Sequence, residues 1–366
     1  MSDHDALLAA ICANPREDTP RLVFADWLEE NGQAERAAFI RTDIAMSHRD
    51  EWDSERLKWE EHCDERFAND HGRSGSWPKS LFPPLLGSLE WLNGPATRRG
   101  FPRGISVALH RTLFGVAADV FAMCPIETVS FWDVPRVPDK FVKAPWFARL
   151  TGLEFGSGRP PLVVLMALLS TPAELQELSL GGRTVDARRL EAVFSSPMTA
   201  NIRRLVIHRD EAALGQVVLD ALAHWPPNHR LRTLELPGGV VIANAHQVAE
   251  QIPPGVTSLG LPMSRMNSER AAAFAARAGL CGLKCLNLAS NPVGNAGAAA
   301  LFTSPHLAGL KVLDLSYCQV GDEALRALLN DSPLAEGLNL LNLTGSPASA
   351  EMKQAVKDRM GDRVRL

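Results

Sequence analysis

Residues 310–318 read LKVLDLSYC, and residues 283–291 read LKCLNLASN, so their leading leucines lie 27 residues apart. In the first stretch Leu313 and Leu315 alternate with Val312, Asp314 and Ser316, the period-two pattern of a strand with one buried face. The segment that follows, 320–330, carries Ala324, Leu325, Leu328 and Leu329 at helical spacing, so its apolar stripe must pack against that strand. One such strand–helix unit cannot bury its own core, whereas stacked units can.

Carried outward, the register finds leading positions at Pro102, Ile126, Leu150, Leu175, Ile202, Leu231, Val256, Leu283, Leu310 and Leu338. The intervals run from 24 to 29 residues, a regularity that a generic α/β domain does not produce. Inward pairs accompany the leads, from Ile105 and Val107 through Leu178 and Leu180 to Leu341 and Leu343. Pro125, Pro145, Pro172, Pro197, Pro226, Pro253, Pro305 and Pro333 stand shortly before a lead, where a helix must stop and a strand begin. Helical spacing recurs between strands, as in 162–169, 214–222, 270–278 and 296–302.

The pattern L-x-x-L-x-L-x-x-N/C resembles the leucine-rich repeat, and these unit lengths are similar to its ribonuclease-inhibitor-like class. The resemblance implies an α/β solenoid curved into a horseshoe, with parallel strands on the concave face and helices on the convex face. The polar slot holds Asn291 and Cys318 but elsewhere Gly158, Arg183, Asp210, Gly239, Ser264 and Ser346, so a regular asparagine ladder is not expected. Residues 349–366 read as a C-terminal cap, with a capping serine, Met352, Val356 and Met360 on one helix face, and Gly361 at its stop.

Ahead of the repeats, residues 1–46 read as three short helices. Leu7, Leu8, Ile11 and Cys12 share a face of the first; Thr19-Pro20 opens the second, with Phe24, Trp27 and Leu28 as its stripe; Ala37, Ile40 and Ile44 mark the third. Asp18, Pro20, Arg21, Leu22, Ala25, Asp26, Trp27, Leu28, Gly32, Arg36, Ala37, Phe39 and Ile40 make this run resemble the bacterial repeat-companion domain, found beside leucine-rich and other repeats. That resemblance implies an architecture and no activity. Asp26 is expected to pair with Arg21 or Arg36, with Glu29 and Glu30 solvated. A charged helix carrying Trp52, Trp59, Cys63 and Phe67 completes an all-α module over 1–70. Residues 71–101, rich in glycine and proline yet carrying Trp77, Phe82 and Trp91, read as a packed connection that caps the first repeat, with a short helix at 85–92. About ten repeats then fill 102–348.

Chemistry is harder to place. The chain of 366 residues has a net charge of −4, which gives no reason to expect nucleic acid, and no apolar run long enough to span a membrane. MSDHDALLAA has no basic stretch ahead of an apolar core and does not read as a secretory signal. Cys281 and Cys285 lack the second ligand pair of a zinc site, the histidines show no i, i+4 pair, and reduced thiols in a cytoplasmic protein are expected. No nucleotide-binding, metalloprotease or nucleophile-elbow motif is present, and Gly294 and Gly297 read as a turn into a helix. No cofactor, metal or catalytic residue is expected.

What remains is the row of side chains on the open strand face. Its centre reads Ser106, Ser130, Glu154, Ser179, Val206, Glu235, Gly260, Asn287, Asp314 and Asn342, with Glu177 and Arg204 before it and Trp132 and His208 after it. The acids outnumber Arg204, and Trp132 is the kind of residue that anchors an interface. The expected function is a non-catalytic scaffold that binds a protein partner through Trp132, Glu154, Glu177, Arg204, His208, Glu235 and Asp314. Two other readings are an effector or transferase-like enzyme using Cys12 or Cys63, and a self-assembling protein using the aromatic-rich 52–101.

Overall fold

A computed structural model describes residues 2–68, 90–91, 97–107, 118–131, 143–156, 175–181, 186–208, 215–225, 229–238 and 245–366. They form two compact units, Met1–Leu175 and Gln176–Leu366. The expected helix at 162–169 lies outside the described residues.

The first unit opens with four helices, α1 (Asp3–Ala13), α2 (Thr19–Glu30), α3 (Ala34–Ser47) and α4 (Ser54–Ala68). Ser2 caps α1 through a capping box: its hydroxyl accepts from the Asp5 amide and the Asp5 carboxylate accepts from the Ser2 amide, both at 3.2 Å. Asp18, not Thr19, precedes α2, and its carboxylate turns away from the helix to His48 at 2.6 Å and Arg99 at 3.2 Å. Ile11, Phe24, Ala25, Leu28, Ala37, Ile40 and Ile44 form the module's core, as their spacing requires. Trp59 of α4 packs on Phe39 with ring centres 5.6 Å apart and donates its indole N–H to Asp43 at 2.8 Å.

The core has one further member from far along the chain, Phe101. It arrives on a hairpin of β2 (Thr97–Arg98) and β3 (Phe101–Pro102), which follows the strand β1 (Glu90–Trp91). Arg99 and Gly100 at the hairpin's tip have φ of 55° and 79°, the left-handed pair of a type I′ turn. Gly100 is required twice over, because a Cβ there would lie 2.7 Å from the Ile40 Cα. Its amide donates to Asp43 at 2.6 Å, so Asp43 ties α3, α4 and the hairpin together.

Three parallel strands follow in this unit: β4 (Gly104–Val107), β5 (Thr128–Phe131) and β6 (Gly152–Phe155). The helix expected at 85–92 is not what the described part of that segment forms. Glu90 and Trp91 pair antiparallel with Ser106 and Ile105, covering the edge that the first repeat would leave open.

In the second unit, strands and helices alternate: β7 (Glu177–Leu180), α5 (Ala187–Phe194), β8 (Arg204–Ile207), α6 (Gly215–Ala223), β9 (Thr233–Glu235), α7 (Ala245–Gln251), β10 (Ser258–Gly260), α8 (Ser268–Ala275), β11 (Cys285–Asn287), α9 (Gly294–Phe302), β12 (Val312–Asp314), α10 (Asp322–Asp331), β13 (Leu340–Asn342), α11 (Ala350–Met360) and β14 (Val364–Arg365). Each strand from β7 to β14 lies parallel to the next in chain order, and helices α5 to α11 pack successively. That is an α/β solenoid. Leads such as Ile202, Leu231, Leu283, Leu310 and Leu338, and inward pairs such as Leu286 with Leu288, are buried in this unit. Gly297 lets α9 approach α8, for a Cβ there would come within 3.0 Å of Ala271. At the C-terminus Ser349 caps α11, Gly361 ends it with φ of 61°, and the tail becomes a strand.

Candidate protein-binding face

Strand pairing fixes which side chains stand side by side on the open face. Glu177, Arg204, Thr233, Ser258, Cys285, Val312 and Leu340 are register partners in one row; Ser179, Val206, Glu235, Gly260, Asn287, Asp314, Asn342 and Arg365 form the next. The second row is the one read from the sequence, extended by Arg365 because the tail adds a strand, and the first contains the Glu177 and Arg204 read from the sequence. In the first unit the row is Ser106, Ser130 and Glu154.

Exposure is less uniform than the alternation implies. Glu154, Glu177, Glu235 and Asp314 are half-buried, while Arg204 and His208 are exposed. Ser130 is wholly buried and Val206 is 4% exposed, so neither belongs to a solvated row. At Val206 the reason is visible. Arg204, two residues earlier on the same face, reaches to the Glu235 carboxylate through Nη2 at 2.8 Å and Nε at 3.2 Å, and Glu235 is the register partner of Val206. Trp132, the expected aromatic anchor, lies outside the described residues.

The charges are also partly spent within the face. Glu235 carries the Arg204 fork. Asp314 accepts from the Ser316 amide at 2.8 Å and from the Asn342 side-chain amide at 3.1 Å. Asn287 and Asn342 make the same local turn to Ala289 and Thr344, the preference of Asx side chains for the amide two residues on. Arg365 adds a second cation to the rows. The acidic excess read from the sequence is therefore smaller, and Asp314 doubles as a device that ends its strand.

Behind the strands, the polar slot repeats one hydrogen-bonding plan with three chemistries. Asn291, 1% exposed, donates through Nδ2 to the Leu261 carbonyl of the preceding repeat at 2.8 Å and to Leu288 at 2.7 Å; its Oδ1 accepts from the Met266 amide at 2.9 Å. Cys318 donates its thiol to the Leu288 carbonyl at 3.0 Å, and Ser264 its hydroxyl to Leu236 at 3.2 Å. Burial pushes the Cys318 thiol up to about 11, so it stays a donor. At the described slots serine and cysteine do the same reaching back as asparagine.

Residues on the loop rim above the slot are a feature that the alternation did not reveal. Met263, Ser290 and Tyr317 share one repeat position with φ of 54°, 57° and 54°. Met263 and Tyr317 are 57% and 64% exposed, unusual for large apolar side chains in left-handed backbone. Their 27-residue spacing was available in the sequence, but nothing in strand periodicity says that this position points outward.

In the helical module Asp26 and Glu29 both bind Arg41, each at 2.7 Å. The expected partners are occupied elsewhere: buried Arg21 donates to the Glu17 and Pro15 carbonyls at 2.7 and 2.8 Å, and Arg36 lies 5.2 Å over the Phe24 ring. Cys12 and Cys63, the thiols of the enzyme reading, are both buried, and burial pushes Cys12 up to about 11. Among the described residues no group of three or more His, Cys, Asp or Glu could hold a metal ion, and no helix is long and apolar enough to cross a membrane.

Two segments of the chain, 281–302 and 309–329, match the family model described as Leucine Rich repeat. No curated protein sequence matches the chain. Among solved structures, a Bacteroides fragilis protein is similar over 68% of this chain and 76% of its own, with 18% identity and a TM-score of 0.45. The yeast Rad7 and Elc1 complex is similar over 72% and 73%, with 14% identity and a TM-score of 0.44.

Proposed function

We propose that this chain is a non-catalytic scaffold that binds a protein partner on the open face of its strands, the concave face expected of a leucine-rich solenoid. The observation that carries the reading is the two rows of register-paired residues, one from β7 to β13 and the other from β7 to β14, with Arg204 and His208 exposed among half-buried acids. A rigid array of this kind presents its groups without ordering them first, which lowers the entropic cost of association. Glu154, Glu177, Arg204, His208, Glu235 and Asp314 are the proposed contacts, with Trp132 as the anchor. The N-terminal module, which resembles a repeat-companion domain, accompanies the repeats without a catalytic role, and a reducing cytoplasmic setting suits its free cysteines.

The test exploits the Arg204–Glu235 pair. Exchanging the two residues, R204E with E235R, keeps an internal ion pair while inverting the charge of neighbouring rows. Immobilised wild type is expected to retain a specific protein from native lysate that the exchanged variant loses, whereas E269K on helix α8 retains it. Equal recovery on all three would overturn the open-face reading.

A further inference from the structure

In the second unit the residue after each lead stands at the edge of the sheet, where the chain turns onto the open face. From Ile202 to Leu338 that position reads Arg203, Arg232, Thr257, Lys284, Lys311 and Asn339. The main chain locks the six side by side: the amide of each donates to the carbonyl of the one before, from Arg232 on Arg203 at 2.8 Å to Asn339 on Lys311 at 2.7 Å. At about 4.8 Å per strand, Arg203 and Lys311 stand about 19 Å apart along the row. Four of the six are cations and none is an acid; over the same repeats, the position before each lead adds Arg230 and again no acid.

These charges meet no carboxylate among the described residues. Arg203 and Arg230 are exposed, and their side chains make no hydrogen bond or ion pair there. Exposed Arg232 donates through Nη1 to the Leu231 and Gly255 carbonyls at 3.2 and 3.0 Å. Half-buried Lys284 and Lys311 each reach forward one repeat, Nζ donating to the Gly309 carbonyl at 3.3 Å and to that of Gly337 at 3.2 Å. A carbonyl takes one N–H and leaves the charge in place, so Arg232 keeps Nε and Nη2, and each ammonium two N–H groups, for another acceptor. Acids of the surrounding rows and loops are held by other arginines: Glu235 by Arg204 at 2.8 Å, Glu250 by Arg277 at 3.2 Å and Glu336 by Arg359 at 2.9 Å. Burial first, and then the charge of Arg232, hold His229 below the usual imidazole range, so the edge draws its charge at neutral pH from arginine and lysine.

The narrowness of the row selects what fits it. Glu177, Glu235 and Asp314 stand on the adjoining rows of the open face, so a nucleic-acid duplex laid over the edge would bring its phosphates against them. Neither edge position carries an aromatic side chain on which the bases of a single strand could stack. An extended peptide is about one strand spacing wide and rises about 3.3 Å per residue, so about six residues span the four cations. Its carboxylates would complement the row without covering the acids beside it.

We propose that the edge formed by Arg203, Arg230, Arg232, Lys284 and Lys311 docks an extended acidic segment of a protein partner. This inference does not rest on the open-face reading, because a peptide probe reports on the edge alone, whatever lysate retention shows for the face.

Fluorescence anisotropy of a labelled octaglutamate peptide titrated with the full chain tests it, beside a neutral serine–glycine peptide of the same length and a short DNA duplex. Octaglutamate is expected to bind saturably, more tightly than either, and more weakly as chloride is raised. R203Q with R230Q removes no internal contact and is expected to weaken binding about tenfold, as is K284Q with K311Q, the loss that follows from one or two charged hydrogen bonds. R188Q with K353Q, the same loss of charge near the starts of α5 and α11, should retain wild-type affinity, with circular dichroism checking every variant. Tighter binding of the duplex, equal binding of the neutral peptide, wild-type affinity in R203Q with R230Q, or no saturable binding would each overturn the proposal.

Discussion

The helical module and the C-terminal repeats bury cores of similar composition but are tied together by opposite means. Between β10 and β13, neutral side chains at one repeated position, Ser264, Asn291 and Cys318, reach back to a carbonyl of the repeat before. In the module the ties are charged and specific to one place: Asp43 holding Trp59 and Gly100, Arg149 donating to the Cys12 carbonyl, Arg99 on Asp18. A repeating device tolerates substitution, because each rung contributes a small, similar amount. A single device does not, since no neighbouring repeat supplies an equivalent tie. The comparison teaches that the regular part is robust and readable, and the module depends on a few residues far apart in the chain.

The sharpest way to break this contrast is at Phe101. Phe101→Ala is expected to cost about 3–5 kcal/mol, the usual penalty for a large buried ring. Its loss should unfold α1–α3 first, because Phe101 packs within their core with its ring centre 5.8 Å from that of Phe24. Limited proteolysis with mass spectrometry checks it: cleavage should appear within 3–47 before 283–344. Simultaneous loss of both would show that the two regions share one core.

A smaller effect is expected from Asn291→Ala, about 2–3 kcal/mol by denaturant unfolding, since the Met266 amide and the Leu261 carbonyl lose a buried partner. If the slot is a true repeated device, Asn291→Ser should recover part of that loss, as serine serves at 264.

Cys318 sharpens the same point with pH. Its folded thiol is raised to about 11 from an ordinary 9.0, so the native state holds the proton more tightly than the unfolded chain. The stability it contributes is then complete below pH 9 and declines as pH rises toward 11. The stability difference between wild type and Cys318→Ala, on the order of 1 kcal/mol at pH 7, should shrink across that window. A difference independent of pH would mean that burial does not hold the thiol in its protonated form.

The smallest effect belongs to the open face. A double-mutant cycle on Arg204 and Glu235 should give a coupling below about 1 kcal/mol, as both side chains remain partly in water. A larger value would make the pair structural and remove it from the proposed contacts.

The repeats were legible because burial imposes a period. Leads such as Leu231 and Leu310 and pairs such as Leu313 with Leu315 had to be apolar, and their spacing gave the register of the strands directly. The face opposite carries no such constraint. Alternation placed Val206 and Ser130 outward, but a long neighbour reaching across Val206, and burial of Ser130, decide their exposure. Phe101 was hidden for a different reason: its contacts with Phe24 and Arg21 join residues about eighty apart, and no local period records them. Arg365 was missed because two residues are too short to read as a strand, although pairing with Asn342 makes them one.

The most direct measurement of the open-face reading is hydrogen exchange on the immobilised chain, before and after loading with native lysate. Added protection is expected in strand peptides covering 175–181, 202–208 and 231–238, with the helix peptides 187–194, 215–223 and 268–275 unchanged. Protection concentrated on those helices instead would contradict it.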